Sequence, residues 1–486
     1  MNSRMSILQM PSVRKGRREF LRAGSLGLFG LTLSQLVEAR EADKLASAMK
    51  TAPAAVTGNA GSGRKKKPRN CILLFMWGGP AQQDTWDPKP DAPPDYRGEF
   101  RPISTSVPGI QICEHLPKLA QRMDQLAVIR SMTHDSVDHT HATHYLLTGR
   151  DVARRGQPLY EDWPGYGAII SQLQRGRGPL PPFVSMMPEV INGSPRFVEQ
   201  SHGSGAGWLG PQYEPLRIDD DATKADYLSS FSLRANLPDK RIDQRRDLLG
   251  SLNQQMQFLD QYREGAAVTA QTERAFQILA DPTVRKAFDL ADESPELRQR
   301  YGMNMHGQSV LQARRLVEAG VPLVTVFWPN DGITNVSVYW DTHSRNFIDL
   351  KDRLCPVTDQ AFSALLDDLQ DRGMLEDTLV VWTGEMGRTP KVGQSVVGGA
   401  GAGRDGRDHW GNVFSSVLAG GGVRGGTVYG ASDRLAAFPE SNPTPPADLA
   451  ATIYTLLGID PAHEIRDRLD RPLTLCDGKA IQDVMA

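Results

Sequence analysis

Carboxylates and imidazoles recur in this sequence at the ends of apolar runs. That pairing of residue type and position is what metal-assisted or acid–base chemistry requires. Asp84 follows the run Asn70–Trp77 (NCILLFMW) and its Gly78-Gly79-Pro80 turn. Four of the ten histidines (His134, His139, His141 and His144) crowd together just after Leu126–Arg130 (LAVIR). A buried histidine with satisfied hydrogen bonds accounts for one of them, not four, so ligation or proton transfer is expected for at least one or two. Asp341 and His343 follow Pro322–Trp328 (PLVTVFW). On an extended segment such i, i+2 side chains share one face, a geometry for two ligands of one ion or for a carboxylate orienting an imidazole. Glu385 comes directly after the run ending at Thr383-Gly384, and Asp408-His409 stand beyond a glycine-rich stretch.

Carboxylate and imidazole without thiolate suit Zn²⁺, Mn²⁺ or Fe, and with more oxygen Mg²⁺ or Ca²⁺. Two such ions would clamp the attacking and leaving oxygens of a phosphoryl or sulfuryl ester. Cys71, Cys113, Cys355 and Cys476 are scattered with no CxxC spacing, which argues against a zinc–thiolate site and leaves any disulfide pairing open. No GxGxxG follows the first apolar run, no P-loop exists, and no GxSxG elbow is present, so nucleotide cofactors and an α/β-hydrolase serine are not indicated.

The elements that must position these residues are legible as alternating periods. Asn70–Trp77 is a continuous apolar run, and Pro322–Trp328, Thr378–Trp382 and Phe414–Ala419 are mostly apolar, the pattern of strands buried on both faces. Between them, Ser309–Ala319, Phe347–Arg372 and Ala447–Leu457 carry helical apolar stripes, and Gly320, Gly373 and Gly458 mark their ends. The alternation predicts one α/β domain: a doubly wound, mostly parallel sheet with helices on both faces and chemistry at strand C-terminal ends. Residues 237–300 read as a charged helical insertion with a solvated face, and the Pro/Gly-rich stretch 178–215 as either a segment draped over the site mouth or a surface loop.

A formal net charge of -2 gives no reason to expect nucleic acid or an anionic membrane as partner. Arg17-Arg18-Glu19-Phe20-Leu21, followed by the weakly apolar Ala23–Leu36, has the form of a twin-arginine signal. The expected organisation is a signal over 1–40, an Ala/Ser/Gly/Lys linker over 41–68 and a single domain over 69–486. Nothing after residue 40 is long and apolar enough to span a bilayer, so the expected location is periplasmic or secreted, with the twin-arginine translocase as export partner.

Several motifs in order are similar to those of a known family. WGGPAQQDTWDPKP, the histidine run ending in LLTGR, WDTHSRNF, TGEMGRTP, GRDHW, AGGGVRGGTVYGASD and PADLAATIYTLLGID resemble the DUF1501 family over roughly residues 70 to 470. Through it they resemble a branch of the alkaline phosphatase/sulfatase superfamily. The resemblance implies divalent metal at strand ends, with Asp84, Asp341, His343, Glu385 and His409 as ligands. Met386 stands where the superfamily motif has a histidine. Counting back from Thr148-Gly149, the nucleophile falls near His139–His141, which makes Thr140, or Thr143, the hydroxyl candidate. His139, His141 or His144 would move its proton, and Arg388 or Arg150 would balance anionic charge. No Cys-x-Pro-x-Arg is present, so a formylglycine is excluded. The implied activity is hydrolysis of phosphate or sulfate esters on a small molecule or a polysaccharide. The alternatives are a non-catalytic metal-binding or structural protein that retains the fold, and a phosphopentomutase-like or phosphonate-type transfer.

Overall fold

The computed structural model describes residues 70–151, 156–173, 180–187, 198, 201–224, 227, 281–330 and 339–486. The twin-arginine segment, the linker and residues 237–280 of the insertion lie outside them. The main sheet, its larger helices and the site are built, in chain order, from β1 (Asn70–Phe75), β2 (Leu126–Met132), α1 (His139–Thr148), α2 (Tyr166–Gln172), β3 (Phe183–Met186), β4 (Leu216–Ile218), α3 (Met305–Glu318), β5 (Leu323–Phe327), α4 (Cys355–Asp371), β6 (Thr378–Thr383), β7 (Gly387–Arg388), β8 (His409–Trp410), β9 (Phe414–Ala419), β10 (Thr427–Tyr429) and α5 (Pro446–Leu456), with further short helices and two-stranded ribbons between them.

Eight strands form one sheet in the order β10-β2-β9-β6-β1-β5-β3-β4. All neighbouring pairs are parallel except those of β9, which runs antiparallel to both β2 and β6. The sheet is therefore mixed and mostly parallel, as the alternation predicts. Every residue of β5, β6 and β9 is buried, which requires cover on both faces of the sheet. Helix α3 packs on β1 and β5 and against α4, while α1 packs against α5. Trp86, Trp328, Trp340 and Trp382 meet edge to face at centroid distances of 5.4–5.9 Å, bracing the chain just below the strand ends.

Two expectations need correction. The helix foreseen over Phe347–Arg372 is interrupted: Asn346–Asp349 is α-helical, Leu350–Leu354 is a π turn, and α4 follows. Pro356 has no N–H to give to the preceding turn, and a wider turn accommodates that. The insertion's charges are also not all solvated. Glu293 is largely buried and pairs with Arg314 at 2.7 Å, and Arg314, fully buried on α3, also pairs with Asp368 at 2.7 Å. This ties the described end of the insertion to the domain.

Two buried histidines make stability pH-dependent. Burial pushes His306, stacked 4.4 Å from Trp328, down to about 3. Burial, partly opposed by Asp162, pushes His144 down to about 4. Both folded values lie below the ordinary ~6.5, so the unfolded chain binds more protons in acid. Their contribution is fully present above pH ~6.5 and is lost as pH falls towards 4. Between pH 6.5 and 5 the two together are expected to remove about 3 kcal/mol. Urea midpoints at the two pH values measure this. His306→Phe keeps the ring stack and is expected to remove about half of the loss; an unchanged pH slope in that variant would refute the assignment.

Candidate metal centre

The parallel topology collects chain from distant segments at one edge of the sheet. β1 leads into Gly78, β6 into Glu385, and β2 into α1, so their C-terminal ends share that edge. The reversed strand β9 begins where its neighbours end, and this delivers His409, just upstream of it, to the same place. Asp341 arrives from the segment after β5, anchored where Trp340 N donates to Trp77 O at 2.8 Å.

His139, Asp341, His343 and His409 each offer a ligand atom within 4.8 Å of the others, the arrangement of a metal-binding group. The Nε2 atoms of His139, His343 and His409 lie 3.4, 2.8 and 3.3 Å from Asp341 Oδ1. Those of His343 and His409 are 2.9 Å apart. A tetrahedron of ~2.0–2.1 Å metal–ligand bonds has edges of about 3.3 Å, so the donors are spaced as one ion needs them. The tautomers agree. His139 Nδ1 donates to Glu385 Oε1 at 2.6 Å, His343 Nδ1 to Gly401 O at 2.5 Å, and His409 Nδ1 to Val137 O at 2.8 Å. Each imidazole gives its Nδ1 proton outward and turns its Nε2 atom inward, the orientation of histidines that ligate metal.

The electrostatics call for a cation at the same point. Burial raises the Asp341 carboxyl, but Arg388 and His139 outweigh it and hold it well below the usual carboxylate range. Burial alone would lower His139, yet Asp341 and Glu385 beside it push it up to about 9. Burial lowers His409, with Asp341 opposing. Three converging Nε2 atoms and a carboxylate thus favour positive charge, which the His139 proton supplies and a divalent ion would supply in its place.

The sequence expectations sort as follows. Asp341 and His343 meet, though not on an extended strand: Thr342 N donates to Trp340 O and His343 N to Asp341 O, both at 2.9 Å, so tight γ-type turns bring the side chains together. His139, expected to move protons, stands among the four donors of the cluster. Glu385 stands behind it, fully buried, with Oε1 accepting from Gly78 N at 2.8 Å as well as from His139. Gly78 has φ +104°, and a Cβ there would sit 2.2 Å from Asp341 N, so only glycine lets β1 and the Asp341 segment approach this closely. Asp84 is not in the cluster. It is fully buried in a two-pronged ion pair with Arg407, at 2.7 and 3.2 Å, and accepts from Asn346 Nδ2 at 2.9 Å.

The other histidines of the run have structural partners. His134 Nε2 donates to Glu385 O at 2.7 Å, His144 accepts from Trp163 N at 3.1 Å, and His141 pairs with Asp151 at 2.7 Å. Hydrogen bonding and ion pairing thus account for three of the four. Thr140 lies next to His139 in the first turn of α1 and is half-buried, while Thr143 is fully buried. Arg388 is fully buried, pairs with Asp341 and donates to Gly78 O and Gly79 O. Arg150 is held elsewhere, by Asp477 and over the Trp163 ring.

The family model described as Protein of unknown function (DUF1501) matches residues 68–485. The chain belongs to the DUF1501 family. No curated protein matches it. This DUF1501 chain is similar to solved structures of low identity. One is a sulfatase from Pseudoalteromonas sp., with 13% identity, 81% of this chain and 68% of that one covered, and a TM-score of 0.36. Another is a phosphonate monoester hydrolase from Silicibacter pomeroyi, with 12% identity, 85% and 76% covered, and a TM-score of 0.36. A third is a lipoteichoic acid synthase from Listeria monocytogenes, with 10% identity, 86% and 76% covered, and a TM-score of 0.39. Arg407 and Asn346, which hold Asp84 in the DUF1501 chain, were missed in the sequence. Their signal was present in GRDHW and WDTHSRNF, where each stands two or three residues from a residue singled out as a ligand.

Proposed function

We propose that this protein is a metal-dependent hydrolase of phosphate or sulfate esters, acting on an anionic small molecule or polysaccharide. One observation carries the reading: three imidazoles donate Nδ1 protons outward and converge their Nε2 atoms on one carboxylate oxygen, Asp341 Oδ1. His139, Asp341, His343 and His409 would hold a single divalent ion. Three nitrogens to one oxygen favour Zn²⁺ or Mn²⁺ over Mg²⁺ or Ca²⁺. When bound, such an ion polarises an ester oxygen and offsets charge developing on it.

The chain's own residues do the rest. Glu385 fixes the His139 tautomer. Arg388 holds Asp341 from the buried side, which leaves its other side for the ion. Asp341 and His343 are the ligands that reach solvent, with side chains 18 and 20% exposed, so substrate would approach over them. Thr140, beside His139 in the N-terminal turn of α1, would be the attacking hydroxyl, with water as the other nucleophile. Export by the twin-arginine route to the periplasm or beyond belongs to the same proposal and rests on Arg17-Arg18-Glu19-Phe20-Leu21.

A second reading, a metal-binding protein without turnover, is favoured by the four protein ligands, the count of structural zinc sites, and by His141 being paired with Asp151 rather than with Thr140. Metal content by mass spectrometry and an assay panel of aryl phosphates, aryl sulfates and phosphodiesters separate the two. The expected result is about one ion per chain and ester turnover that His409→Ala lowers by about 100-fold or more. One ion without turnover selects the second reading; no ion removes both.

A further inference from the structure

The glycine-rich stretch between β7 and β8 is bound to the candidate ligands at many points. Asp408 is fully buried, and its Oδ2 accepts from Val396 N at 2.8 Å and from Gly401 N at 3.2 Å. Its Oδ1 accepts from His409 N at 2.9 Å and lies 3.5 Å from His343 Nδ1. His343 grips the same stretch with both its ring and its backbone: Nδ1 donates to Gly401 O at 2.5 Å, and Gly403 N donates to His343 O at 2.7 Å. Asn346 N adds a bond to Asp405 O at 3.0 Å. The glycines are needed for this approach. A Cβ on Gly399 would sit 2.5 Å from the Asp408 carboxylate, and one on Gly406 would sit 1.8 Å from His343 O. The outer side of the stretch is bare: Val397 is fully exposed, and Arg404 and Asp405 are exposed.

We propose that residues 396–406 are a metal-coupled cover of the centre, and that Asp408 is the positioning residue that locks it to His343 and His409; the proposal rests on the metal reading above. The coupling follows from shared atoms. The Nδ1–H of His343 that donates to Gly401 O belongs to the ring whose Nε2 would bind the ion, so fixing that ring fixes the Gly401 carbonyl. Asp408 then joins Val396 and Gly401 to the backbone of His409. An occupied centre orders the cover, and a seated cover holds two ligand rings in place for the ion. The stretch lies against His343, one of the two solvent-facing donors of the cluster, so its order would also govern access.

Hydrogen exchange read by mass spectrometry on the full chain tests this, with Zn²⁺ as the probe after removal of metal by EDTA. With Zn²⁺ at ~100 times its Kd, exchange over residues 396–403 is expected to slow by about tenfold or more. Asp408→Asn and, independently, Gly399→Ala, which displaces Asp408 without changing a ligand, are each expected to weaken Zn²⁺ binding by about 10–100-fold and to abolish the slowing. Gly399→Ala carries the test if Asp408→Asn does not fold. Zn²⁺ bound by the wild type with unchanged exchange over 396–403 would overturn the cover while leaving the metal centre standing. So would wild-type affinity in the variants. A wild type that takes up no Zn²⁺ overturns the centre and the cover together.

Discussion

Asp341→Ala is expected to leave the protein without stoichiometric metal and to lower its stability by about 3–5 kcal/mol. Both effects come from one atom. Oδ1 is where the three Nε2 atoms converge, and it also receives the Arg388 guanidinium, whose side chain is wholly buried. Removing the carboxylate deletes the only anionic donor of the cluster and strands a buried cation. The double variant Asp341→Ala/Arg388→Met separates the two. It removes the stranded charge, so part of the lost stability should return, while metal binding should not. Recovery is partial because Arg388 also serves the Gly78, Gly79 and Arg407 carbonyls. Metal content and urea midpoints read the two effects. A single variant that keeps one ion per chain would place the site elsewhere, and a double variant no more stable than the single would show that the buried pair is not the source of the loss.

The second large effect concerns the ion pair that replaces an expected ligand. Arg407→Ala is expected to destabilise the fold by about 3–5 kcal/mol, because it breaks a fully buried ion pair and leaves the Asp84 carboxyl group, among the described residues, with Asn346 as its side-chain partner. Arg407 also donates to the Thr389, Pro390 and Tyr96 carbonyls, so the loss reaches the strap after β7 and the loop after β1. Asp84→Ala should be destabilising in the same way but should retain the wild-type metal content. Here the structure and the family resemblance diverge, since the resemblance assigns Asp84 a metal. A folded Asp84→Ala protein that has lost its ion would restore Asp84 to the ligand set.

The strands were legible in the sequence because burial on both faces demands mostly apolar runs, and NCILLF, LVTVF, TLVVWT and, with two serines, FSSVLA meet that demand. Asp341, His343 and His409 could be brought together on paper because each follows or precedes such a run, and the fold does set their side chains within hydrogen-bonding range. What could not be read was the division of labour. Four histidines within one short stretch look alike as letters. His139 differs from His144 only in what the helix turns each towards: the cluster in one case, Trp163 N and Arg150 O in the other. Glu385 and Asp84 each follow an apolar run and looked equivalent. One holds the His139 ring and the other pairs with an arginine that lies 323 residues away in the chain. A charge on a glycine-rich loop ordinarily reads as solvated, so Arg407 drew no attention although it is fully buried.

The sheet's central strand is the first to be made and among the last to be completed. β1 pairs with β5 on one side and β6 on the other, and neither partner exists until the chain has reached Leu323 and Thr378. At ~5–20 residues per second of synthesis, the 248 residues from Phe75 to Leu323 take about 12–50 s, during which NCILLF has both edges open. An apolar strand with unpaired edges for that long is an aggregation hazard and a binding sequence for a holding chaperone. Yield in cells should therefore respond to chaperone supply more steeply than the stability of the finished protein would suggest, with β1 as the segment that sets the response.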